Sequence, residues 1–228
     1  MHVPDGFLDA QTSLTTAVVA GGLVVASLSG ARRELDDRTA PLAGLVAVFV
    51  FAAQMLNFPL GAGTSGHLIG ATLAAVLVGP WTATLCLTVV LTVQALLFAD
   101  GGVSALGTNV LLMGVVAVWV GWAAFRAVLA LLPRRLASVP LAAAVGAFLS
   151  VPAAALAFVA LYAVGGAAPI PLDALTTAMV GWHAFIGLGE ALITLLAVSS
   201  IVAARPDLVV GARGRVPELE LKTPEVVA

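Results

Sequence analysis

Residues 139–164 run from end to end without a charged side chain, and six further stretches are nearly as apolar: about 10–30, 41–56, 67–79, 81–98, 107–132 and 174–204. A run of this kind cannot face water along its length, and roughly 20 apolar residues in a helix cross the hydrocarbon of a bilayer. Lipid offers no hydrogen bonds, so a spanning segment must satisfy its backbone as a helix or within a closed barrel. Barrel strands alternate apolar and polar residues and are about half as long, whereas these runs are apolar all round. The expected fold class is therefore all-α, a polytopic membrane bundle of about seven helices. Composition agrees, with 61% hydrophobic and only 10% charged residues against roughly 25% charged in soluble domains.

The third run is short for a span. It lies between the glycine-rich NFPLGAGTSG and Gly79-Pro80, so it reads as a short or tilted helix with a non-helical loop at its outer end. Threading seven spans with the N-terminus outside places RRELDDR, PRR and the C-terminal cations on the inside, with Arg126 near the inner end of the fifth run. The outer loops then hold Asp5, Asp9, Asp100 and Asp173 and no cation, as the positive-inside rule requires. The division expected is a transmembrane domain over 1–204 and a polar cytoplasmic tail over 205–228. The opening MHVPDGFLDA carries no cation before the first apolar run, so it is not expected to act as a secretory signal. A formal net charge of −2 without a basic block gives no reason to expect nucleic acid. The single cysteine, Cys86, sits inside an apolar run and reads as a small packing residue.

The chemistry open to such a chain is narrow. Its sole lysine, Lys222, follows a leucine, so no GxxxxGK[ST] phosphate loop exists, and HExxH and GxSxG are absent. Three histidines remain, His2, His67 and His183, all in the outer half of the expected topology. Ionisable groups near the membrane are functional candidates by default. The α-amine of Met1, the His2 amide and the near ring nitrogen of His2 form a contiguous tridentate set, and His67 is the natural fourth nitrogen. Planar nitrogen coordination suits Ni(II), Cu(II) or low-spin Co(II), whereas Zn(II) prefers tetrahedral ligands. The Pro4-Asp5-Gly6 turn can fold the terminus back toward the bundle. A frayed terminus bearing His2 by accident, with His67 as an interfacial anchor, is the plain alternative. His183 and Glu190 share a helix face about 10 Å apart, too far to bind one ion together. Glu190 is expected to be protonated or hydrogen-bonded near Gly187 and Gly189. His183 reads either as a packing residue or as a group beneath the main site. An intramembrane enzyme using this pair and a metal-independent capture protein are the rival classes.

Four stretches, MHVPDGFLD, NFPLGAGTSGHLIGATLAAVLVGPW, QALLFADGGVSALGTNVLLMG and HAFIGLGEALIT, together resemble the CbiM/NikM family over nearly the whole chain. These are the substrate-capturing membrane components of energy-coupling factor (ECF) transporters for cobalt and nickel. The resemblance implies a seven-helix fold like that of ECF capture proteins, with an extra N-terminal helix relative to the six-helix vitamin-binding relatives. It implies a metal site of Met1, His2 and His67, supported by Asn57, Thr64 and Ser65. It implies transported Co(II) or Ni(II) and no catalytic cofactor. The implied partners are a transmembrane coupling protein, two cytoplasmic ATPases and a small accessory membrane subunit, in a bacterial or archaeal plasma membrane. The accessory subunit that some members carry fused at the C-terminal end is not expected here. The opening and the HAFIGLGEALIT stretch look slightly closer to the cobalt branch, which implies cobalt uptake for cobalamin synthesis, with nickel uptake as the alternative.

Overall fold

A computed structural model describes residues 1–36, 39–61 and 64–216. The seven apolar runs become seven helices: α1 (Ala10–Ala31), α2 (Thr39–Gln54), α3 (Ala71–Val78), α4 (Pro80–Leu97), α5 (Leu106–Leu131), α6 (Ser138–Gly165) and α7 (Leu172–Ala204). Five of them, α1, α4, α5, α6 and α7, are long and apolar enough to cross a membrane, and α2 is a shorter apolar helix. Leucines and phenylalanines such as Leu14, Leu45, Phe185 and Leu192 stand exposed on the outward faces. In a monomer this belt needs lipid to cover it. Among the described residues the only strands are β1 (Phe58–Gly61) and β2 (Thr64–Gly66), a small antiparallel hairpin made by the glycine-rich stretch.

The third run is the centre of the molecule. Its helix, α3, has 8 residues and all of them are buried, packed among α2, α4, α5, α6 and α7. At 1.5 Å per residue it is about 12 Å long, far short of the roughly 30 Å of hydrocarbon. The residues before it, His67 to Gly70, are not helical, and the helix begins where Gly70 turns its backbone left-handed (φ 72°). The close packing around α3 depends on small residues. A Cβ on Gly121 of α5 would lie 1.9 Å from Thr72 Oγ1, and one on Gly146 of α6 would lie 2.6 Å from the Gly121 carbonyl. The two glycines therefore let α5 and α6 close on each other and on the Thr72 side chain of α3, the usual means of association when lipid and helix surface are equally apolar.

The two ends of the bundle differ in charge. At one end, Glu34 after α1 accepts hydrogen bonds from the amides of Trp81 (3.3 Å) and Thr82 (2.7 Å) and so caps α4. Arg213 donates to the Glu34 carbonyl, and Arg215 donates to Leu129 and Pro133 carbonyls. The segment after α7 stays on the bundle to this point, with Val209 and Ala212 buried. At the opposite end the first nine residues lie across two loops. Gly102 donates to the Val3 carbonyl (2.9 Å), Ala167 to that of Phe7 (3.0 Å) and Asp9 to that of Gly165 (2.7 Å). The described arginines gather toward the first end, and Asp5, Asp9, Asp100 and Asp173 lie at the second.

Gly121→Ala should lower the unfolding temperature in detergent, reflecting the roughly 1–3 kcal/mol typical of an overpacked core. Gly21→Ala, at a site with nothing within 4 Å, should leave it unchanged or raise it. Equal midpoints for the two variants would contradict the close packing around α3.

Candidate metal site

The chain terminus is drawn into the bundle by a series of polar contacts. Asn109, buried in α5, grips the peptide groups of Val3 from both sides. Its Oδ1 accepts from the Val3 amide at 2.7 Å and its Nδ2 donates to the Val3 carbonyl at 3.1 Å. Asp5 Oδ1 accepts from the amide and hydroxyl of Ser104 at 2.8 and 2.6 Å. A Cβ on Gly102 would lie 2.4 Å from the Asp5 nitrogen, so only glycine lets the loop approach this closely. The Phe7 ring then packs on Phe158 and Tyr162 at centroid distances of 5.8 and 5.6 Å. These contacts leave Met1 3% exposed. Burial pushes the pKa of its amine from 8.0 down to about 4, against the pull of Asp100. At neutral pH the amine is uncharged and carries a lone pair.

The His2 ring lies stacked on His67, with centroids 4.4 Å apart and planes inclined by 24°. His2 Nε2 is 3.1 Å from Gln94 Oε1. An amide oxygen only accepts, so His2 donates to it through Nε2. Nδ1 is 3.1 Å from Asp100 Oδ1 but lacks the geometry of a hydrogen bond. His2 holds the Asp100 carboxyl below its ordinary range, so it is an anion at neutral pH.

His67 is fully buried and positioned through its own backbone. Two residues on, the Ile69 carbonyl accepts from Gln54 Nε2 at 2.8 Å. The amides of Ile69 and Gly70 donate to the Glu190 carboxylate. The His67 ring donates through Nδ1 to the Leu68 carbonyl at 2.8 Å, which leaves Nε2 buried with no hydrogen-bond partner. His183 is arranged in the same way on α7, with Nδ1 bonded to the Met179 carbonyl at 2.7 Å and Nε2 without a partner. The structure therefore brings His2 and His67 into contact, with Met1 carried along by the chain. Asn57 is exposed and donates to Asp100 Oδ2 at 3.3 Å, so it acts on the site through that carboxylate. The side chains of Thr64 and Ser65 lie outside the described ones. Glu190 is hydrogen-bonded and fixes backbone.

Gln54, Gln94, Asp100 and Asn109 were not singled out from sequence. Three of them are uncharged polar residues within or at the start of apolar runs, and that placement is itself the signal that could have marked them. Among the described residues no three His, Cys, Asp or Glu side chains converge on one point.

Residues 2–208 match a family model described as CbiM, cobalt uptake substrate-specific transmembrane region. The chain belongs to the CbiM family. It is similar to a protein of Haloquadratum walsbyi provisionally named a metal transport protein, 39% identical over 92% of this chain and 93% of that one. It is also similar to the fused nickel transport protein NikMN of Rhodobacter capsulatus, 34% identical over 97% of this chain and 68% of that one. A crystal structure of a truncated transition metal transporter superposes with a TM-score of 0.83 at 32% identity, covering 89% of this chain and 99% of that one. The likeness to that transition metal transporter thus holds in fold as well as in sequence.

Asn109→Ala should loosen the terminus, since removing a buried partner costs roughly 1–3 kcal/mol. Hydrogen exchange at the Val3 amide, corrected for intrinsic rates, would then be faster than in the unaltered protein. The same readout should depend on pH. The undocked amine keeps its ordinary pKa of 8.0 and the docked amine titrates near 4, so docking releases a proton. Protection of Val3 in metal-free protein should be strongest above pH 8 and fall steadily as pH drops toward 4. Protection that is flat across this range, or rises in acid, would contradict a buried neutral amine.

Proposed function

We propose that this membrane protein captures Co(II) for uptake, using the Met1 amine, the His2 amide nitrogen, His2 Nδ1 and His67 Nε2 as ligands. One observation carries the reading. Two stacked imidazoles are buried close to a neutral terminal amine, and two of their nitrogens, His2 Nδ1 and His67 Nε2, have no hydrogen-bond partner. Burying polar nitrogen unsatisfied costs roughly 1–3 kcal/mol per group, and a metal ion offsets that cost. Membership of the CbiM family supports the reading, and places the chain among cobalt and nickel transport components. Nickel is the second reading, favoured by the likeness to the nickel transport protein of R. capsulatus.

Capture then proceeds by desolvation at the acidic end of the bundle. Asp100, held as an anion beside His2, draws the divalent ion toward the nitrogens. The ion gives up water, the His2 amide gives up its proton, and the five-membered and six-membered chelate rings close on His2. His67 completes the set from the rigid segment that Gln54 and Glu190 hold. The positive-inside distribution of arginines supports an outward-facing N-terminus and a cytoplasmic C-terminus. Energy for release inward comes, in this reading, from two cytoplasmic ATPases acting through a transmembrane coupling protein, with a small accessory membrane subunit. Glu190 is engaged by the amides that open α3, which leaves the pair His183 and Glu190 poorly suited to enzyme chemistry.

The α-amine gives the sharpest test. A protein with one alanine inserted before Met1 keeps every side chain but loses the amine at its place in the chelate. Purified with a C-terminal tag, the unaltered chain should carry Co(II) or Ni(II), and the extended chain should carry none. Equal metal content by mass spectrometry would remove the terminus from the site.

A further inference from the structure

At the arginine-bearing end of the bundle, the last turns of α5 and the segment after α7 enclose a cavity of about 400 Å³. Arg126, Arg134, Arg213 and Arg215 line it together with Leu129 and Leu132, and no acidic residue does among the described residues. Among the described residues the only arginine in an ion pair is Arg205, which lies elsewhere. Two of the four guanidinium groups are positioned by backbone. Arg215 donates to the Leu129 carbonyl at 2.6 Å and to that of Pro133, and Arg213 donates to the Glu34 carbonyl at 3.4 Å. Arg126 lies over the Trp122 ring, 5.9 Å from its centroid. Four like charges around one cavity raise one another's energy. Among the described residues no carboxylate forms an ion pair with them.

We propose that this cavity binds the headgroup phosphate of an anionic phospholipid. Guanidinium groups match phosphate oxygens two at a time, which accounts for the charge. The apolar residues identify the source of the phosphate. Leu129 and Leu132 form one wall, and Leu131 at the end of α5 is 86% exposed. Trp122 lies about one turn deeper in the same helix than Arg126, at the level where tryptophan anchors helices in the interface. A headgroup seated among the arginines would lay its acyl chains along this apolar surface, whereas a free phosphate has no use for it. Basic pockets among membrane helices on the cytoplasmic side commonly hold anionic headgroups.

The full chain in mild detergent would be titrated with phosphatidylglycerol, phosphatidylcholine or inorganic phosphate. Bound lipid is counted by native mass spectrometry and stability is read from thermal unfolding. Phosphatidylglycerol should bind and raise the midpoint, and the other two at the same concentration should do neither. Arg134→Gln with Arg213→Gln should weaken phosphatidylglycerol binding about 30-fold, as two neutralised cations near a membrane surface imply. Arg32→Gln with Arg33→Gln, at the same end but outside the cavity, should leave binding unchanged. All four replaced arginines are exposed, and unchanged metal content in each variant verifies the fold. Equal weakening by both pairs would reduce the cavity to a diffusely positive end and overturn the proposal. So would equal stabilisation by inorganic phosphate, or no preference for phosphatidylglycerol over phosphatidylcholine.

Discussion

From His67 to Gly70 the chain runs without helical hydrogen bonds between buried helices, where each unsatisfied peptide group costs several kcal/mol. The rest of the site depends on how that cost is met. Glu190 of α7 accepts from the amides of Ile69 and Gly70, and Gln54 of α2 donates to the Ile69 carbonyl. The same carboxyl group lies at the N-terminus of α3, where helix amides lack partners within the helix. One buried acid therefore starts the central helix and fixes the segment that carries His67. Non-helical backbone at this depth is tolerated because protein surrounds it on every side.

Against this rigid half of the site, the other half is the chain terminus, which in most proteins is frayed. Here it is held by Asn109, Gly102 and Ser104 and buried to the first residue. Burial has a chemical consequence as well as a structural one. It strips the amine of its proton and so prepares a lone pair that an exposed terminus at neutral pH would mostly lack. The bland reading of His2 as an accident of a loose end does not fit this packing.

What could be read from sequence follows from what lipid and charge demand locally. Long apolar runs report a span whatever they pack against, so the seven helices were legible, as was the shortness of the third. The glycine-rich stretch was legible as non-helical, although its pairing as a hairpin was not. The start of α3 was hidden because it is set by Glu190, which lies 121 positions from Ile69. Gln94 and Asn109 were hidden for a related reason. A polar residue inside an apolar run announces that it has a partner, but only the packing of α4 and α5 against the terminus shows that the partners are His2 and Val3. His67 and His2 could be paired from sequence only because so few nitrogen ligands exist in the chain.

In the proposed site, main-chain nitrogen and two imidazoles surround the captured ion. X-ray absorption of the metal-loaded protein reads this directly, because imidazole rings leave a distinct multiple-scattering pattern and planar coordination leaves a characteristic edge. The account predicts a four-coordinate, all-nitrogen shell with two imidazoles in a planar arrangement. A six-coordinate shell dominated by oxygen, or one containing a single imidazole, would contradict it.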